Sequence, residues 1–130
     1  LAAMLMASEP AAMNLYQLAG AVSLSGLHDL RPLTLFSFNA DFRLDDAEAW
    51  RLSPIRCPPA TRAPVVAAVG GNETSEFLRQ TGLLWDAWPR NRPPGADGPL
   101  VVPDKHHFSV VIDYADPRSA LTEATLALFA

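Results

Sequence analysis

The sequence has a single cysteine, Cys57, among its 130 residues. One thiol excludes an internal disulfide framework and fits a reducing compartment, so a cytoplasmic location is expected. Charge is sparse as well: Lys and Arg total 10, Asp and Glu total 14, and the formal net charge is −4. No lysine- or arginine-rich stretch stands out, which argues against a nucleic-acid partner and against a basic membrane-surface patch. No apolar run approaches the roughly 20 residues that a bilayer span requires, so no membrane partner is expected. The G-x-S-x-G string of a nucleophile elbow is absent too. The chain also lacks an internal repeat and a low-complexity tail.

What remains is globular. Hydrophobic residues make up 49% and charged residues 18%, the proportions of a packed domain rather than a disordered chain. The chain opens on an apolar stretch, LAAMLMA at residues 1–7, without the basic n-region of a signal peptide. It reads as the middle of a buried helix, ended near Ser8-Glu9-Pro10 because proline disfavours helical backbone before it. The expectation is one partial domain over residues 1–130, the C-terminal portion of a larger fold.

The rest alternates between two periods. Residues 19–24 (AGAVSL) predict a buried strand and 25–29 a polar turn, while 30–43 look irregular. Residues 45–52 suit a short helix capped by Asp45 or Asp46 and halted before Ser53-Pro54. After a proline-rich connection, residues 65–69 (VVAAV) form an uninterrupted apolar run that needs cover on both faces, as in a parallel sheet. Gly70-Gly71-Asn72 turns the chain into a helix starting at Thr74 or Ser75, with Phe77, Thr81, Leu84, Trp85 and Trp88 on one face. A loop over 90–99, a short strand over 100–102 and a turn over 103–107 follow. Asp116-Pro117 offers a cap and a first helical position for the last helix, whose predicted buried stripe is Leu121, Ala124, Leu128 and Phe129. Such alternation implies an α/β fold, parallel strands alternating with helices. Three strands are few for it, and further strands are expected upstream.

In open α/β sheets, ligands bind beyond the carboxyl ends of the strands. Residues 25–29, 70–73 and 104–107 lie there. The second turn offers Glu73, and the third offers His106 and His107. A carboxylate on one strand end and a histidine on the next are the orienting acid and general base of a hydrolytic triad. Their chain order matches that of hydrolases in which nucleophile, acid and histidine follow one another. Taken singly, each residue has a plainer reading. Glu73 suits a helix N-terminus by its charge. Loop histidines are commonly solvated, and a His-His pair is half a metal site with no third ligand at fixed spacing. His28 and Asp29 close a turn or touch a substrate. Trp50, Trp85 and Trp88 read as packing residues rather than a substrate box. Ser23 and Ser25 lack the flanking glycines of a nucleophile elbow, and Cys57, among prolines, lacks the surroundings of an activated thiolate.

Several strings taken together resemble one family. SGLHDLRPL at 25–33, Ser53-Pro54, VGGNETSEFLRQ at 69–80, and His107-Phe108-Ser109 followed by Asp116-Pro117 and a closing helix are similar to the kynurenine formamidases (arylformamidases). The resemblance covers most of the chain and is weakest over 90–99; LAAMLMA looks like the helix that follows that family's nucleophile elbow. It implies the C-terminal part of an α/β-hydrolase fold, and hydrolysis of N-formyl-L-kynurenine to formate and L-kynurenine with no metal or cofactor. It implies Glu73 as the acid, where many members have aspartate, and His107 as the base, with His106 a neighbour. The serine and the oxyanion donors are then expected upstream of Leu1. A carboxylesterase of other small acyl esters and a non-catalytic α/β interaction module are the alternatives, and the upstream sequence separates them from the first reading.

Overall fold

The run at 65–69 decides the architecture, because every side chain on it is apolar and so both faces of its strand must be covered. The computed structural model describes residues 2–7 and 18–130. In it β2 (Val65–Gly70) is buried throughout and lies between β1 (Ala21–Leu24) and β3 (Leu100–Val102). Both pairings are parallel, with Ala21 opposite Val65 and Ala68 opposite Leu100. The sheet is therefore parallel and the fold α/β.

Alternation along β2 sorts its side chains into two cores. Val65 and Ala67 pack with Ala3 and Met6 of α1 (Ala2–Met6) and with Leu84 and Trp88, at the end of α4 (Ser75–Ala87). Val66 and Ala68 pack on the opposite face with Val102, Val110 and Leu121 of α5 (Ala120–Leu126). Between β1 and β2 lie two short helices, α2 (Asn39–Phe42) and α3 (Asp46–Arg51). Asp45 caps α3, its carboxylate accepting the Glu48 amide at 2.7 Å. The first helix matches its expected span as far as it is described; the predicted stop at Ser8-Glu9-Pro10 lies outside the described residues.

Some local expectations give way. Asp116 does not cap the last helix. Its carboxylate accepts the Arg118 amide at 2.9 Å and closes a separate turn, and Ser119, extended at φ −69° and ψ 148°, accepts the Thr122 amide at 3.1 Å instead. A side chain that satisfies the amide two residues on cannot also reach one inside the helix. Phe129 is 74% exposed rather than buried, because the chain tightens into a 3-10 turn over Ala127–Phe129 and the stripe rotates off its face. Residues 30–43 are less irregular than expected: a 3-10 turn over Arg31–Leu35 precedes α2. Of the three tryptophans only Trp88 is buried. Trp50 and Trp85 instead lie under the guanidinium groups of Arg31 and Arg92, at 4.5 and 4.6 Å from the ring centroids.

Gln80 lies outside the predicted face of α4, yet it is buried and pins the loop after β1 to that helix. Its side-chain oxygen accepts the amides of His28 and Asp29, both at 2.8 Å, and its amide nitrogen donates to the Asp29 carbonyl at 2.8 Å. Its own backbone carbonyl lies 2.9 Å from His28 Nδ1. Removing it leaves several buried donors and an acceptor without partners, each costing about 1–3 kcal/mol. Gln80→Ala is expected to destabilise the protein by about 3 kcal/mol, read as a lower urea midpoint, whereas Arg79→Ala, on the exposed side of the same helix, costs under about 1 kcal/mol.

Candidate active site

A parallel sheet delivers all three of its strand ends to one rim, and the loops after β1, β2 and β3 meet there. The β2 turn and the β3 loop are stitched by backbone bonds: Gly71 N–H donates to Val102 O at 2.7 Å, and Asn72 N–H to Lys105 O at 2.9 Å. The stitch requires glycine at position 70. A Cβ there would stand 2.4 Å from the Lys105 carbonyl oxygen, so any side chain forces the β3 loop away. Lys105 is also tied to Asp113 by a 2.7 Å ion pair, which anchors the loop from its other side.

Glu73 and His107, 34 residues apart, come together as a result. Glu73 Oε2 lies 2.8 Å from His107 Nδ1. The other oxygen, Oε1, accepts the Gly70 amide at 2.9 Å and the Ser25 hydroxyl at 2.5 Å. The Glu73 side chain has no exposed surface, while that of His107 is 43% exposed. Burial opposes ionisation of the Glu73 carboxyl, but hydrogen bonds from Ser25, the Gly70 amide and His107 outweigh it and hold the group below its ordinary range. Because the carboxylate accepts, Nδ1 carries the proton and Nε2 presents a lone pair. Among the described residues, none hydrogen-bonds to Nε2. Phe77 stacks on the imidazole with ring centroids 4.4 Å apart and 28° between planes, and Phe108 meets it edge-on at 5.3 Å. These contacts fix the ring plane and leave one nitrogen free to take a proton.

The remaining candidates fall elsewhere. His106 turns into its own loop, where Nδ1 faces the Phe108 amide at 3.3 Å, so the adjacent histidines do not converge. No group of three or more His, Cys, Asp and Glu side chains gathers at a metal-binding distance among the described residues. His28 is 1% exposed. Its Nδ1 faces the Gln80 carbonyl, which only accepts, so the proton sits there and Nε2 accepts from the Ser23 hydroxyl at 2.8 Å. Burial lowers the pKa of His28 and keeps it neutral. Ser23 and His28 thus have the contact of a nucleophile and its base but are sealed from any substrate. Glycine at position 26 leaves room for this pair, since a Cβ there would stand 2.5 Å from Ser23 Oγ and 2.7 Å from His28 Nε2. Asp29 is held by Arg31 through bonds of 2.9 and 2.8 Å and closes the turn after β1. Cys57 faces the Arg51 carbonyl at 3.9 Å.

Reasoning from the sequence missed Ser25, Gly70 and Phe77 as parts of this arrangement. Gly70-Gly71 was a visible signal for a turn. Nothing local announces Ser25, whose partner lies 48 residues away.

No protein-family model matches the chain. A kynurenine formamidase of Salmo salar is 27% identical to it over 121 residues, which span 86% of this chain and 40% of that protein. The crystal structure of a proposed thioesterase from Silicibacter sp. TM1040 is similar with a TM-score of 0.75 and 30% identity, over 98% of this chain and 45% of that one. The fold is hydrolase-like. The chain spans less than half the length of either relative.

Two outcomes test this geometry. Because Glu73 titrates lower in the folded state than its unfolded value near 4.5, its ionisation stabilises the fold. That contribution is complete above about pH 4.5 and is lost as pH falls through the folded pKa. Glu73→Gln is therefore expected to flatten the acid side of a plot of urea midpoint against pH. Gly70→Ala is expected to displace the 103–107 loop and abolish the Glu73–His107 contact, seen as loss of a single Nδ1–H tautomer for His107 in nitrogen-15 NMR spectra.

Proposed function

We propose that this chain carries the acid and base of a serine-hydrolase triad, Glu73 as the orienting acid and His107 as the general base. The observation that carries the reading is the 2.8 Å contact from a buried carboxylate to Nδ1 of a half-exposed imidazole whose Nε2 has no hydrogen-bond partner among the described residues. That is the arrangement a general base requires: correct tautomer, fixed ring plane and an accessible lone pair. The kynurenine formamidase similarity and the strings at 25–33 and 69–80 support N-formyl-L-kynurenine as the substrate.

In this reaction a serine hydroxyl, supplied by a part of the protein N-terminal to this chain, attacks the formyl carbon. His107 Nε2 takes the hydroxyl proton, and the resulting imidazolium is stabilised by the Glu73 carboxylate beside it. Backbone amides hold the developing oxyanion. The tetrahedral intermediate collapses with cleavage of the carbon–nitrogen bond, His107 protonates the departing arylamine of L-kynurenine, and a formyl ester remains on the serine. Water, deprotonated by the same imidazole, then releases formate. Each step asks His107 for one proton in or out and needs no cofactor. In this reading the chain is the C-terminal part of one α/β-hydrolase domain.

The similarity to a proposed thioesterase favours a second substrate class, small acyl esters and thioesters, processed by the same couple. One experiment addresses both. The whole protein containing this chain is expected to hydrolyse N-formyl-L-kynurenine, followed by the absorbance of the released arylamine, faster than p-nitrophenyl acetate or acetyl-coenzyme A. His107→Ala is expected to lower kcat by on the order of 10⁴ or more. Wild-type turnover in that variant would end the hydrolase reading, and a preference for the ester or thioester would replace the substrate while keeping the mechanism.

A further inference from the structure

We propose that Ser25 is a positioning residue for this couple: its hydroxyl, set at the end of β1, holds one oxygen of Glu73 so that the other is presented to His107. The proposal rests on the hydrolase reading and goes beyond it, since it assigns to the β1 rim a part in orienting the acid.

The geometry is specific. A carboxylate on a flexible side chain rotates, and rotation exchanges its oxygens unless each is held by its own donors. Oε1 receives two, the Ser25 hydroxyl and the Gly70 amide, and Oε2 faces Nδ1 of His107. The amide belongs to the turn that carries Glu73 itself, so Ser25 is the donor that reaches it from another strand. Ser25 in turn is fixed by the sheet: its amide donates to the Ala68 carbonyl at 2.8 Å, one step beyond the β1–β2 ladder.

The backbone of Ser25 gives the second argument. Its φ is 49°, in the left-handed region where glycine is at ease and a side chain is strained. A residue that served the turn alone would be better as glycine, and glycine does stand at the next position. A serine kept at the strained position, with its hydroxyl on a buried carboxylate, is explained by the hydroxyl. The same bond is among those that hold the Glu73 carboxyl below its ordinary range, and His107 is the titratable group in contact with that carboxyl.

Two substitutions test the role. Ser25→Gly removes the hydroxyl, and the relief of its left-handed backbone offsets part of the lost hydrogen bond; Ser25→Cys keeps the Cβ and offers only a weak donor, and circular dichroism checks that each variant is folded. In both, carbon-13 NMR is expected to show the Glu73 carboxyl titrating at higher pH than in the parent, and nitrogen-15 NMR a mixture of His107 tautomers. In the whole protein, kcat for N-formyl-L-kynurenine falls about tenfold in Ser25→Gly with KM little changed, the size expected for one charge-assisted hydrogen bond. A purely structural Ser25 predicts no change in titration or tautomer, and that result in either folded variant overturns the proposal. Turnover that survives His107→Ala while the titration shifts in Ser25→Gly discards the hydrolase reading instead, leaving Ser25 as the residue that orients the pair.

Discussion

The Glu73 carboxylate is the interaction on which the rim of this sheet depends. Taking a carboxylate out of water costs several kcal/mol, and the cost is met only if its oxygens are fully hydrogen-bonded. Here one donor comes from the carboxyl end of each strand: Ser25 just after β1, the Gly70 amide at the last residue of β2, and His107 in the loop after β3. A single buried charge therefore ties three loops that are distant in the chain.

The surrounding features can be read as the means of that placement. Gly70 lets the β3 loop pass directly over the β2 turn, where any Cβ would meet the Lys105 carbonyl. Gln80 clamps the loop after β1 against α4 by satisfying three backbone groups with one side chain. Phe77, in the first turn of α4, stacks on the imidazole and limits its rotation. All three sit on or beside the β2–α4 connection, so the central strand and its helix are the frame and the other two loops are brought to it. The same frame encloses a second histidine, His28, which makes a contact with Ser23 much like that of a base with its nucleophile. What separates the two histidines is access to solvent: His28 is 1% exposed, whereas the His107 side chain is 43% exposed.

Much of the fold could be read along the chain. The apolar run at 65–69 had to be a strand covered on both sides, and it is. The positions of β1, β3, α3 and α4 followed from period and breaker; the Asp45 cap of α3 is formed, whereas Thr74 at the start of α4 makes no side-chain cap bond. One error was a local competition between equivalent acceptors, where Ser119 rather than Asp116 caps α5; another was a helix that tightens at its end and leaves Phe129 exposed. The roles of two polar residues, Gln80 and Ser25, were not legible because their partners lie 52 and 48 residues away. A buried glutamine looks the same in sequence as an exposed one. The resemblance to the arylformamidases covered both positions within its quoted strings without saying what either side chain holds.

By itself the sequence determined what depends on neighbours: the alternation of strands and helices, the apolar identity of β2, and the glycines and prolines that end each element. It also determined that a carboxylate and an imidazole stand just beyond the ends of successive strands, because in a parallel sheet chain order maps onto position along one rim. The resemblance to the arylformamidases pointed to the second histidine of the pair, but only the tertiary structure decided that it stands 2.8 Å from Glu73, that the carboxylate is buried, and that Ser25 completes its shell. Those facts depend on distances between loops of different strands. Such distances are fixed by sheet register and by the close passage of Lys105 over Gly70, and neither can be written in local sequence.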